Sequence, residues 1–168
     1  VKHSLQGYTL IELLVVLAVM AILAAAAMPM VEIAAQRERE RELKRALWEI
    51  RDAIDAYKRA NDRGEISAGA SRSGYPPNLA VLVQGVELAG KPLEGAAVAN
   101  SRGTSGRVVF LRRIPRDPFA PSGLPAEQTW GLRSFMSSAE QPQPGDDVFD
   151  VYSLSPRTGL NGIPLRRW

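Results

Sequence analysis

The sequence has no cysteine and a single histidine, His3. The first absence excludes disulfides, thiolate metal sites, iron–sulfur clusters and cysteine nucleophiles. The second leaves no imidazole beyond position 3, so Ser-His-Asp triads and HExxH zinc sites cannot be built from the rest of the chain. Catalysis would have to rest on carboxylates, lysine or tyrosine alone, and the chain reads as a non-enzyme. Lysine is also scarce, four residues against seventeen arginines, and the net charge is only +3. Such a balance is mildly basic and lacks the dense cationic face of a dedicated nucleic-acid binder, so nucleic acid is not an expected partner. At 168 residues the chain is long enough for one domain of modest size.

Charge is missing altogether from one stretch, the 19 residues from Leu13 to Val31. A run of this length can span a bilayer, since about 20 helical residues cover the hydrocarbon core. It can also serve as the apolar region of a secretory signal, with Lys2 as the basic flank and Ala24 to Ala27 as small residues for cleavage. A buried core helix is the third reading, and so long an apolar run is rare in a soluble domain of this size. Glu12 separates the first two. An acidic side chain costs roughly 2.5–3.5 kcal/mol at mid-membrane and less near an end, a cost from which a simple signal peptide gains nothing. A subunit that pairs this carboxylate with another chain does gain.

The segment Gly7-Tyr8-Thr9-Leu10-Ile11-Glu12-Leu13-Leu14-Val15-Val16 resembles the cleavage and methylation signature of type IV prepilins and type II secretion pseudopilins. The resemblance implies a leader over residues 1–7, cut between Gly7 and Tyr8 by a membrane prepilin peptidase, with N-methylation of Tyr8. Tyr8 stands where the family usually has Phe and keeps the aromatic ring. The resemblance also implies that Glu12 of an incoming subunit neutralises the terminal amine of its neighbour, with Thr9 adding a hydroxyl to the pair. Cleavage would create an amine of unperturbed pKa about 7.7–8.0, and pairing would offset the desolvation of both charges. Pro29, placed as in many family members, removes a backbone donor and opposes the carbonyl of Ala25, so a bend or meltable segment is expected there.

Beyond the apolar run the helical pattern continues. Leu43, Leu47, Ile50, Ile54 and Tyr57 recur at steps of four and three, Ala46, Ala53 and Ala60 widen the stripe, and Gly64 is placed to end it. One helix is therefore expected from Tyr8 to Arg63, with a hydrophobic transmembrane and assembly part over 8–31 and an amphipathic continuation over 32–64. Residues Arg37 to Glu42 alternate in sign and read as a solvated face, with Glu40 and Lys44 at favourable i,i+4 spacing, or as charges that pair between subunits. The arginines that follow the apolar run outnumber Lys2 before it, and by the positive-inside rule would hold the C-terminal part in the cytoplasm. The family resemblance implies the opposite orientation, with the head in the periplasm.

Residues 65–168 hold 11 of the 12 prolines and 12 of the 14 glycines, which excludes long helices there. Asn78 is placed to cap a short helix that buries Leu79, Leu82 and Val83. Strands are expected at Val108–Leu111, Trp130–Phe135 and Val148–Ser153, with a long loop over 87–107. Trp130, Phe110, Tyr152 and Phe149 are the expected core aromatics. The fold class is thus α+β: a long N-terminal helix, its first half transmembrane, packed by its second half on a small head with short antiparallel strands.

Within this head, Tyr75-Pro76-Pro77-Asn78-Leu79, Phe110 to Phe119, Trp130 to Ser134 and Asp150 to Ser155 resemble segments of the major, G-type pseudopilin of type II secretion. That resemblance implies a single-pass protein of the bacterial inner membrane that joins a short filament, a pseudopilus, and drives protein export. Its implied partners are copies of itself, other pseudopilins, the prepilin peptidase and the inner-membrane secretion platform. Such subunits commonly hold calcium in the loop after the Tyr-Ser-Leu segment. Here that loop, Ser155 to Gly162, has no carboxylate, and the nearest oxygen donors are Asp146, Asp147, Asp150 and Asn161. A metal-free loop held by turns, and no cofactor, is the expectation. Two other readings share parts of this sequence. One is a minor type IV pilin for adhesion or for DNA uptake through Arg112, Arg113, Arg116, Arg166 and Arg167. The other is a soluble periplasmic protein released by ordinary signal cleavage near Ala27.

Overall fold

A computed structural model describes residues 8–67, 71–89 and 106–168, the side chains of residues 26–29 excepted. The expected leader, residues 1–7, and the stretch 90–105 of the expected loop lie outside the described residues. The chain divides into two units, residues 1–38 and 39–168, and helix α1 (Leu10–Asp62) contributes to both.

In the first unit the apolar side chains cover no core. Leu13, Leu17, Met20 and Leu23 are all exposed. This part of α1 is apolar and long enough to cross a membrane by length and composition. Its backbone stays helical on both sides of Pro29. A helix apolar all round has no polar face to turn to water, and its area must be covered by lipid or by other chains.

In the second unit the expected stripe is the core. Leu43, Leu47, Ile50, Ile54 and Tyr57 are each 2% exposed or less, and the three flanking alanines are buried beside them. Each such large side chain contributes roughly 1.5–3 kcal/mol on burial. The helix ends in a Schellman motif: Glu65 N–H donates to Ala60 O at 3.0 Å and Gly64 N–H to Asn61 O at 2.9 Å. Gly64 takes φ +66°, the left-handed conformation this closure requires.

The head supplies the other side of this core. Helix α2 (Ala80–Gln84) begins where expected, and Asn78 Oδ1 accepts Val81 N–H at 3.1 Å. Leu79 and Leu82 are buried and Val83 is half-buried. Two antiparallel ladders follow. Strand β1 (Val86–Glu87) pairs with β2 (Arg107–Val108), and β3 (Trp130–Arg133) pairs with β4 (Asp150–Ser153) in the register Trp130↔Ser153 to Arg133↔Asp150. Glu87 and Arg107, the two ends of the expected loop, are therefore strand partners. The architecture is α+β and pilin-like: a long apolar N-terminal helix followed by a small domain with short antiparallel strands.

The strands are shorter than the sequence pattern suggests because their backbone groups go elsewhere. Phe110 and Leu111 N–H both donate to Leu82 O at 3.0 Å, which pulls the chain off β2. Ser134 N–H goes to Gln143 O, and Phe135 N–H to the Asp147 carboxylate at 2.9 Å, which ends β3. Val148 N–H reaches Pro76 O at 2.8 Å before β4 begins. The aromatic core is also smaller than expected. Trp130 is buried, with Nε1 donating to Pro115 O at 2.8 Å. Phe110, Phe149 and Tyr152 are only half-buried. Phe110 packs edge-on to Tyr57 at 5.4 Å, and Phe149 packs with Phe135 and with Tyr75, which itself lies against the core. Tyr152 lies across Gly131, its cross-strand partner, where an added Cβ would overlap the ring.

Candidate functional site

Tyr8 and Thr9 precede α1, and Tyr8 is 78% exposed. The Thr9 hydroxyl accepts Glu12 N–H at 3.3 Å, and the Thr9 carbonyl accepts Leu13 N–H at 3.2 Å. Thr9 is thus the N-cap, a role typically worth about 1 kcal/mol. Thr9-Leu10-Ile11-Glu12 has the spacing of a capping box, with Glu12 at the third helical position. That signal was present in the sequence and explains Thr9 without any second chain.

The same geometry sets the electrostatics. The first turn of a helix carries partial positive charge from its unpaired N–H groups, so the Glu12 carboxylate is well placed there. A cationic amine at Tyr8 would be poorly placed by the same rule, and a carboxylate near it offsets the conflict. Gly7 lies outside the described residues, as does the Pro29 side chain.

The charged stretch before the core is only partly a solvated face. Glu40 is buried, and its Oε1 accepts Leu160 N–H at 2.8 Å. Lys44 Nζ sits 4.5 Å over the Trp168 ring. Two turns on, Arg51 Nε donates to Asp150 Oδ1 at 2.8 Å, and its Nη2 to Val151 O at 3.1 Å and Trp168 O at 2.7 Å. The helix therefore holds the C-terminal segment through two side chains 11 residues apart, Glu40 and Arg51. Sequence reasoning missed both roles, since partners more than 90 residues away leave no local pattern.

Three of the four oxygen donors considered for calcium are already in use. Asp147 is buried and accepts hydrogen bonds from the Ser73 hydroxyl, from Ser134 Oγ at 2.7 Å and from Phe135 N–H at 2.9 Å. Burial would raise its pKa, but the three donors outweigh that and hold it below the usual aspartate value. Asp150 pairs with Arg51 and Arg133. Asn161 Oδ1 accepts Ile163 N–H at 3.0 Å within a turn, and Asp146 is exposed. Among the described residues no three acidic side chains converge on a point where a metal could sit. As arranged here, with Asp147 and Asp150 held by other partners, these side chains do not converge as a calcium site, which takes six to eight oxygen ligands, would require.

Asp117 and the segment around it maintain the fold. Its side chain, 1% exposed, accepts Phe119 N–H at 2.7 Å and Ser153 Oγ–H at 2.5 Å, which joins this loop to β4. Arg116 donates to Leu124 O and Pro121 O, so its guanidinium is spent on the loop. Arg112, Arg113, Arg166 and Arg167 are exposed.

No curated protein and no solved structure matches this chain. Residues 3–28 match the model of the prokaryotic N-terminal methylation motif. The match spans the Gly7–Tyr8 junction, the capped helix start and Glu12, and supports processing by a prepilin peptidase, membrane anchoring and filament assembly in general. The motif is the prepilin type found in type IV pilin-like subunits, and with the long apolar helix and the small α+β head it suggests a structural role.

Proposed function

We propose that this chain is a structural subunit of a type II secretion pseudopilus. It is cut between Gly7 and Tyr8, N-methylated at Tyr8, and held in the bacterial inner membrane with its head in the periplasm. It then joins a short filament with copies of itself and other pseudopilins. Addition of subunits at the membrane platform lengthens the filament, which pushes folded cargo outward. Glu12 meets the terminal amine of a neighbouring copy, while Thr9 caps the helix beneath that pair and Pro29 marks where the helix yields. The observation that carries this reading is the methylation motif laid over a capped helix whose apolar residues are exposed among the described residues.

The export branch rests on the resemblance of the head segments to the G-type pseudopilin; of the arginines considered for DNA uptake, Arg116 is committed to loop carbonyls while Arg112, Arg113, Arg166 and Arg167 are exposed. Deleting the chain in its own bacterium should abolish export of a folded secreted enzyme while surface pili remain. Loss of pili with export intact would transfer the chain to the pilus branch. Processing is tested by N-terminal sequence and intact mass of the membrane-derived protein. A chain that begins after Ala27 would end the filament reading.

A further inference from the structure

Residues 157–165 close into a tight turn. Gly159 N–H donates to Ile163 O and Gly162 N–H to Gly159 O, each at 2.9 Å, and Asn161 Oδ1 accepts Ile163 N–H at 3.0 Å. Gly162 takes φ +78°, and Thr158 and Pro164 bridge the two arms. A turn closed in this way presents its side chains in fixed positions, and two of them are apolar: Leu160 and Ile163 are each 46% exposed. A single exposed leucine is ordinary. Here the two share one turn, flanked by the exposed Arg157, Arg166 and Arg167, with no acidic residue anywhere from 155 to 168.

The turn has a defined place along α1. Leu160 N–H donates to Glu40 Oε1, which ties it to the first residues of the second unit. Glu40 lies nine residues beyond Val31, where the uncharged run ends. Nine residues reach roughly 13.5 Å as helix and at most about 30 Å when extended. Charge is distributed in the same sense. Residues 39–45 and 155–168 together hold seven arginines and lysines against two glutamates, whereas the rest of the chain holds fourteen against sixteen acids. The excess positive charge therefore belongs to the part of the head tied closest along the chain to the apolar run.

We infer that this turn and the start of the helix beside it dock on an anionic lipid surface, with Leu160 and Ile163 entering the headgroup layer and the arginines facing lipid phosphates. A short apolar insertion and a basic patch are each weak alone, and together they hold a segment to a bilayer. The electrostatic part acts over about a Debye length, roughly 8 Å at physiological salt, so the cations need not touch the headgroups. Docking of this kind holds the head down on the membrane before the subunit leaves it. The inference rests on the reading of residues 13–31 as a membrane anchor.

The absence of native cysteine allows one probe site at a time. Full-length chain with Leu160→Cys, labelled there with a fluorophore, is reconstituted in vesicles of phosphatidylcholine, alone or with a third of it replaced by phosphatidylglycerol. Phospholipid spin-labelled at the headgroup and aqueous acrylamide are the quenchers. Asp55→Cys, fifteen residues beyond Glu40 on α1, is the reference site. In the anionic vesicles, quenching by lipid should be about fivefold stronger at position 160 than at position 55. It should fall about fivefold in about 1 M salt, where the Debye length is roughly 3 Å. Arg157→Gln, Arg166→Gln and Arg167→Gln combined should lower it as far, and the salt arm keeps the test decisive if that variant folds poorly. Equal quenching by lipid at the two sites overturns the inference. So does equal quenching at position 160 in neutral and anionic vesicles. Protection of position 160 from both quenchers would put protein in place of lipid there, and overturns it too. A chain that anchors in vesicles while acrylamide alone reaches position 160 removes the docking only. A chain that fails to anchor removes the membrane reading, and the docking with it.

Discussion

Residues 13–31 and 43–60 of α1 are both rich in apolar side chains, yet Leu17 is 65% exposed while Leu47 is 2% exposed. The difference lies in periodicity. In the second stretch the apolar residues keep to one face, and a head of about a hundred residues is enough to cover that face. In the first they occupy every face and stay exposed among the described residues, which fits an apolar surround. The contrast separates two sources of order, intramolecular packing for the head and an external environment for the anchor.

The comparison can be broken most completely at the anchor. Gly7→Ala should abolish processing while membrane insertion persists, read as an unchanged precursor mass in the membrane fraction. Normal maturation of that variant would sink the proposed cleavage site. Glu12→Val should mature normally but enter filaments poorly beside wild-type chain.

In the head, Ile50→Ala should lower stability by about 2–5 kcal/mol in denaturant unfolding, through lost burial and the cavity left behind. Leu17→Ala should leave the same unfolding transition within about 0.5 kcal/mol. Equal effects at the two positions would erase the distinction drawn above. Arg51→Ala removes three donated hydrogen bonds from a partly exposed guanidinium and should cost about 1–2 kcal/mol. Proteolysis should then cut first near the C-terminal segment that Arg51 holds.

A smaller effect is expected from acid. The Asp147 pKa is depressed in the folded state, so its contribution is full above the unfolded value, about 3.9, and fades as pH falls through the lower folded value. Stability between about pH 4 and pH 2 should therefore drop less steeply in Asp147→Asn than in the wild type. Smallest of all, added calcium should leave the melting temperature of the head unchanged. A clear rise would show that the carboxylates rearrange to receive the ion.

Much of this molecule was legible before any fold was known. The core stripe, the stop at Gly64, the start of α2 after Asn78 and the α+β class follow from short-range spacing, and each is found where spacing puts it. The short strands were located approximately but their ends were not, because Phe110, Phe135 and Val148 spend their backbone donors on partners far along the chain. Glu40 looked like one half of a helix-surface pair and proved to be a buried acceptor for Leu160. Thr9 was read as an aid to Glu12 and is found as the cap of α1, although its capping-box spacing was in plain view.

Local periodicity and composition were thus enough to define the apolar anchor and the amphipathic helix, and resemblance over one short segment supplied the methylation signature, since each depends on residues within a few turns of one another. The places of Glu40, Arg51, Asp117 and Asp147 came only from the assembled head. Their partners lie 12 to 120 residues away, and which donor meets which carboxylate is set by how the loops close over the helix.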